Sequence, residues 1–108
     1  MSHQCFRINL TVKESLAYMN QYMQEEKLYE KAYDVPGGMT SATVVYEKYY
    51  MRNSSRAMLT VTINDFEGVT EVTSIAGGAS QGMIFKFDWG ASDEFAGSIK
   101  RLFEGYIL

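Results

Sequence analysis

Apolar residues recur along this chain with two periods, one of two residues and one of three to four. Phe6, Ile8 and Leu10 alternate with polar neighbours, the pattern of a half-buried strand over residues 5–10. Thr11-Val12-Lys13-Glu14 then reads as a capping box, in which the threonine hydroxyl and the glutamate carboxylate each satisfy a backbone amide that a helix start leaves unpaired. Val12, Leu16, Met19 and Met23 follow at spacings of four, three and four, one apolar stripe of a helix ending near Gln24-Glu25-Glu26-Lys27. Residues 28–35 fit a strand, with Tyr29, Lys31, Tyr33 and Val35 alternating against Leu28, Glu30 and Ala32. A continued helix would have to change face. Pro36-Gly37-Gly38 marks a turn.

Beyond that turn, β-branched and aromatic residues dominate. Ala42 to Arg52 and Arg56 to Phe66 read as the arms of a hairpin around Asn53-Ser54-Ser55. Asn64-Asp65-Phe66-Glu67-Gly68 turns the chain into a strand from Val69 to Ala76. Gly77 to Gly82 interrupts, and Met83 to Asp88 gives a further strand. Ser92 caps a closing helix, with Asp93 and Glu94 in its first turn and Lys100 and Arg101 near its end, charges that match the helix dipole. The stripe of that helix is Phe95, Ala96, Ile99, Leu102, Phe103 and Tyr106. Runs of strands flanked by two helices predict a two-layer α+β domain spanning residues 1–108. Its antiparallel sheet of about five to six strands carries both helices on one face, in the order β-α-β-β-β-β-β-α. The other sheet face is left to solvent or a partner.

The hairpin loop decides which side chains face the helices, because a one-residue slip inverts every position. A three-residue loop pairs Met51 with Ala57, Tyr49 with Leu59, Glu47 with Val61 and Val45 with Ile63. A four-residue loop turns Tyr50, Lys48 and Tyr46 inward, against Leu59, Val61 and Ile63. The first is preferred, which leaves Glu47 as the one charge on an apolar inner face. The plainer reading is a Glu near the sheet edge or helix end that reaches solvent or a lysine, while a carboxylate in a cavity there could orient a ligand or move protons. Tyr49 is its hydrogen-bond partner in this reading, and Trp89, Gly77 and Gly78 complete the candidate ligand-binding set. The outer face then carries Tyr46, Tyr50 and Met58 as candidate interface residues, among the cations Lys48, Arg52, Arg56 and Lys86.

Composition narrows the classes. A chain of 108 residues with 46% hydrophobic and 14% aromatic content is built to fold, not to stay disordered. A net charge of −3 gives no general pull toward nucleic acid or anionic membrane. No apolar run approaches the ~18 residues of a membrane-spanning helix. One cysteine excludes an internal disulfide, and Met-Ser-His-Gln-Cys lacks the basic and apolar stretches of a secretory signal, so a cytoplasmic location is expected. His3 and Cys5, two apart, can share a strand face, but two ligands do not make a metal site, and no metal or cofactor is expected. They read instead as a frayed histidine and a buried apolar cysteine. Gly78-Ala79-Ser80-Gln81-Gly82 matches a nucleophile elbow in letters only, since a strand follows it and the one histidine lies far upstream.

Two stretches carry a resemblance: Tyr46-Glu47-Lys48-Tyr49-Tyr50-Met51-Arg52 through Val61, and Gly77-Gly78-Ala79-Ser80-Gln81-Gly82 through Phe85-Lys86-Phe87-Asp88-Trp89-Gly90-Ala91. Together they resemble a small bacterial family classed as a domain of unknown function, which implies no activity and assigns no catalytic residue. The element order is also loosely similar to helix-grip and TBP-like folds, which cradle ligands between sheet and C-terminal helix. The expected function is a non-enzymatic module that binds a small apolar ligand or another protein, with a homodimer as the simplest partner. Met19, Met23, Met51 and Met83 would supply an adaptable pocket lining. One alternative is a small enzyme with Glu47 as acid or base. Another is a binder of single-stranded nucleic acid on the aromatic sheet face, which the acidic charge balance opposes.

Overall fold

The computed structural model describes residues 2–50, 55–80 and 89–108. Among these, five strands form one antiparallel sheet in the order β1-β5-β4-β3-β2. They are β1 (Ser2–Ile8), β2 (Glu26–Val35), β3 (Met39–Tyr50), β4 (Ser55–Asn64) and β5 (Thr70–Ser80). Helix α1 (Val12–Tyr22) joins β1 to β2, and α2 (Trp89–Leu102) follows β5. β2 through β5 form a meander, while β1 pairs across the chain with β5, Phe6 opposite Val72. This is the α+β arrangement expected from the pattern. The strand expected at Met83 to Asp88 lies outside the described residues, as do Met51, Met83 and Lys86.

Local signals account for most boundaries. At the start of α1, Glu14 N donates to Thr11 Oγ1 at 3.0 Å and Thr11 N donates to Glu14 Oε1 at 2.9 Å, the reciprocal capping box. Residues 28–35 are strand, as favoured above. Gly37 and Gly38 turn the chain with φ of 96° and 82°, a region where a Cβ is strained. Two boundaries differ from expectation. Helix α2 starts at Trp89, so Ser92 lies inside it and no acid occupies its first turn. A cap residue is a preference and not a barrier, and each further helical residue adds a backbone bond. Likewise β5 does not stop at Ala76. It continues through Gly77 to Ser80, pairing residue by residue with β4 up to Ser55. A long partner strand offers hydrogen bonds that outweigh the poor strand preference of glycine.

The two helices pack on one sheet face and define the core. Phe6 and Ile8 of β1, Ala42, Val44 and Tyr46 of β3, and Leu59, Val61 and Ile63 of β4 meet Val12, Leu16 and Met19 of α1, Phe95, Ala96 and Ile99 of α2, and Phe103 just beyond it. Met19 is fully buried in this cluster and Met23 packs against it. Ser74 of β5 is buried with its hydroxyl donating to Ala96 O at 2.8 Å, so a polar side chain locks the helix to the sheet. Tyr18 meets Phe103 with a tilted ring and Tyr106 edge-on, at 5.4 and 5.3 Å between ring centres, joining α1 to the turn that follows α2.

The sheet has two unlike edges. β1 is bridged near its end by Ile107, with Leu108 N donating to Arg7 O and Asn9 N to Tyr106 O. Among the described residues β2 pairs only with β3, and nine of its ten residues are exposed. It is tied to the helical layer by Lys27, whose Nζ donates to Asn20 and Glu30 at 2.7 Å each.

Candidate functional site

The β3–β4 ladder runs from Ser41 opposite Asn64 to Tyr50 opposite Ser55, placing Tyr46 opposite Leu59 and Lys48 opposite Ala57. The preferred three-residue register is therefore wrong. The inner face carries Tyr46 and Lys48, as the second register has it, and Glu47 and Tyr49 point to the outer face. The cause is that β3 has apolar residues at both parities, Val44 and Tyr46 as well as Val45 and Tyr49, so pattern alone does not choose between them.

Each candidate residue can now be placed. Tyr46 is no interface residue, because it is 2% exposed in the core. Its hydroxyl is buried without a hydrogen-bond partner. Burial, aided by the carboxylates of Glu30 and Glu25, pushes its pKa up to about 12. Met58 does lie exposed on the outer face, and Tyr50 has its backbone opposite Ser55. Glu47 and Tyr49 are brought together there by Arg56, whose Nη1 is 3.5 Å from Glu47 Oε2 and whose guanidinium lies 5.8 Å from the centre of the Tyr49 ring. Gly77 pairs with Met58 in the row of Glu47, whereas Gly78 pairs with Ala57 in the next row, of opposite facing. Trp89 opens α2, in the layer across the sheet from Glu47. The five ligand-binding candidates do not form one site.

Cys5 is exposed, not buried, and β1 begins at Ser2, so the N-terminal end is paired with β5. Alternation explains it: Phe6 and Ile8 face the core, hence His3, Cys5 and Arg7 face outward. No group of three His, Cys, Asp or Glu suited to a metal occurs among the described residues.

Reading the ladders across the sheet gives the outer face row by row. One row is Tyr29, Val45, Thr60, Ile75 and His3, and the next is Lys31, Thr43, Thr62, Thr73 and Cys5. Its centre is thus six β-branched residues, Val45, Thr60, Ile75, Thr43, Thr62 and Thr73, with Tyr29, Tyr33, Tyr49 and Met58 exposed around them. The surrounding charges are largely neutralised in place. Arg7 meets Glu67 at 2.8 Å and Glu71 at 3.5 Å, Arg56 meets Glu47, and Lys31 Nζ lies 5.4 Å from the Tyr33 ring centre. Sequence reasoning put Thr60 and Thr62 on this face but turned Val45 inward and missed Ile75, Thr43 and Thr73. The signal for the first two is Thr60-Val61-Thr62-Ile63, where alternation sends the threonines out once Val61 and Ile63 are taken as core.

Residues 1–107 match the model of DUF6054, a family of unknown function. No curated protein and no solved structure matches the chain. Among the described residues no helix is long and apolar enough to cross a membrane.

Proposed function

The chain belongs to DUF6054, whose description assigns no activity, and from the structure we propose that it is a protein-interaction module that pairs with a second copy through the outer face of its sheet. The observation that carries this reading is the charge-free centre of Val45, Thr60, Ile75, Thr43, Thr62 and Thr73 on a face that, among the described residues, neither helix covers. β-Branched side chains hold one χ1 rotamer firmly, so burying them loses little conformational freedom. Tyrosine and methionine, which surround this patch, are types enriched at interfaces. Five strands at ~4.8 Å spacing and ~3.3 Å rise per residue give a face of about 700 Å², close to the ~800 Å² each partner contributes to a standard interface.

Aromatic and cationic sheet faces also suit single-stranded nucleic acid, but here Arg7 and Arg56 are held by carboxylates, which leaves little charge to meet phosphates. The test is sedimentation or light scattering at tens of micromolar, on the wild-type chain and on Ile75→Lys. Ile75 is 37% exposed on the outer face, so the fold tolerates the change, as circular dichroism will verify. The expected result is a wild-type mass twice 12.3 kDa and a monomeric variant. A wild-type monomer, or a dimer that Ile75→Lys leaves intact, overturns the reading.

A further inference from the structure

On the helical side, a cleft of about 220 Å³ opens between the first half of β1 and the last turns of α2, lined by Gln4, Gly97, Lys100, Arg101, Glu104 and Ile107. Its floor depends on a missing side chain. A Cβ on Gly97 would stand 3.3 Å from Arg101 Nη1 and 3.3 Å from Gln4 Nε2. Glycine inside a helix costs roughly 1 kcal/mol relative to alanine, and here it is the residue that lets a guanidinium and an amide converge over a helix backbone.

The polar groups around the cleft are only partly satisfied. Arg101 is steadied by one bond, Nη2 donating to Glu94 O at 3.1 Å, which leaves Nη1 over Gly97. Lys100 has no ion-pair partner among the described residues. Gln4 Oε1 is buried and accepts no hydrogen bond, a state that costs free energy, while Gln4 Nε2 lies over Gly97 beside the cleft. Glu104 brings one carboxylate to the same rim. Two cations against one anion favour a ligand with a single negative charge, and the Glu104 carboxylate asks for a donor.

We propose that this cleft binds a small zwitterion of the free amino-acid class, its carboxylate on Lys100 and Arg101, beside the Gln4 amide nitrogen, and its ammonium on Glu104. The volume supports a ligand of that size, since it falls below the ~300 Å³ at which drug-sized and cofactor pockets begin. A multiply charged phosphate is disfavoured by Glu104, and an apolar ligand would strand the polar lining.

The experiment is an NMR titration of the full chain with L-alanine, and separately with acetate and with ethylamine, each carrying one of its two charges. L-alanine is expected to shift the Gln4 side-chain NH2 signals and the Gly97 and Glu104 amides at millimolar concentration. Acetate and ethylamine should each bind at least about ten-fold more weakly. Lys100→Met, at an exposed position, should weaken L-alanine binding about ten-fold while leaving the spectrum dispersed, and Gly97→Ala should abolish it. If acetate binds as well as L-alanine, the cleft is a simple anion site and the proposal fails. It also fails if L-alanine produces no shift, or if Lys100→Met binds as the wild type does.

Discussion

Replacing Tyr46 by phenylalanine isolates one atom. The ring stays where it is, against Leu59 and the α1 face, so the apolar burial is unchanged. What disappears is a hydroxyl that is buried without a hydrogen-bond partner, although it is fully hydrated in the unfolded chain. Stranding such a group costs about 1–3 kcal/mol, so Tyr46→Phe should stabilise the fold by about 1 kcal/mol or more. For a domain of this size that corresponds to a rise in Tm of roughly 4–8 °C. Urea unfolding measures it, with the midpoint moving up and the slope unchanged. A second arm uses pH. In the folded state the phenol holds its proton to about 12, against 10.0 in its ordinary state, because burial and the carboxylates of Glu30 and Glu25 disfavour the phenolate. The folded pKa is the higher one, so the stability linked to this proton is complete below pH 10 and is lost as pH rises from about 10 toward 12. Tyr46→Phe should remove that part of the alkaline loss. A variant less stable than the wild type at neutral pH would mean that the hydroxyl is hydrogen-bonded and would refute the reasoning.

Three further outcomes follow from the geometry. Thr11→Ala removes one half of the capping box and should cost about 0.5–2 kcal/mol in urea unfolding; a neutral result would mean that α1 is held by packing alone. Leu59→Ala, at a fully buried β4 position, should cost about 2–5 kcal/mol, and a loss under 1 kcal/mol would show that the core collapses around the gap. Gly68→Ala should cost roughly 1–2 kcal/mol through its φ of 85° alone, because nothing lies within 4 Å of the added carbon; thermal melting of the variant checks it.

Much of the architecture could be read from short-range patterns. Alternation at Phe6 and Ile8, the Thr11–Glu14 box and the turn at Pro36 are each set by a few neighbouring residues, and each is found where the pattern puts it. Information that depends on strands far apart was harder to read. The facing of β3 is fixed by which residues of β4 it meets, and with Val44 and Val45 adjacent its own sequence is silent on that point. The candidate site inherited this error, since Glu47 and Tyr49 moved out of the core and Tyr46 moved in. The cleft at Gly97 was invisible for a related reason. Gln4 and Arg101 are 97 positions apart, and only the packing of α2 on β1 brings them over the same glycine.

The open edge at β2 limits how the sheet can grow. Two copies joined edge to edge about a two-fold axis keep their faces matched only in registers centred on a residue. Beyond the irregularity at Lys27 and Tyr29, a centre at Lys31 sets Lys31 against its own copy, and a centre at Glu30 does the same for Glu30. A centre at Ala32 sets Glu30 against Asp34 of the other copy. Like charges directly opposite are repulsive across a strand pair, so each of these central registers is opposed. With Ile107 and Leu108 covering part of the far edge, strand-by-strand extension is disfavoured on both sides. For the proposed pairing of two copies this leaves stacking of faces, a geometry that closes after two copies instead of propagating into fibres.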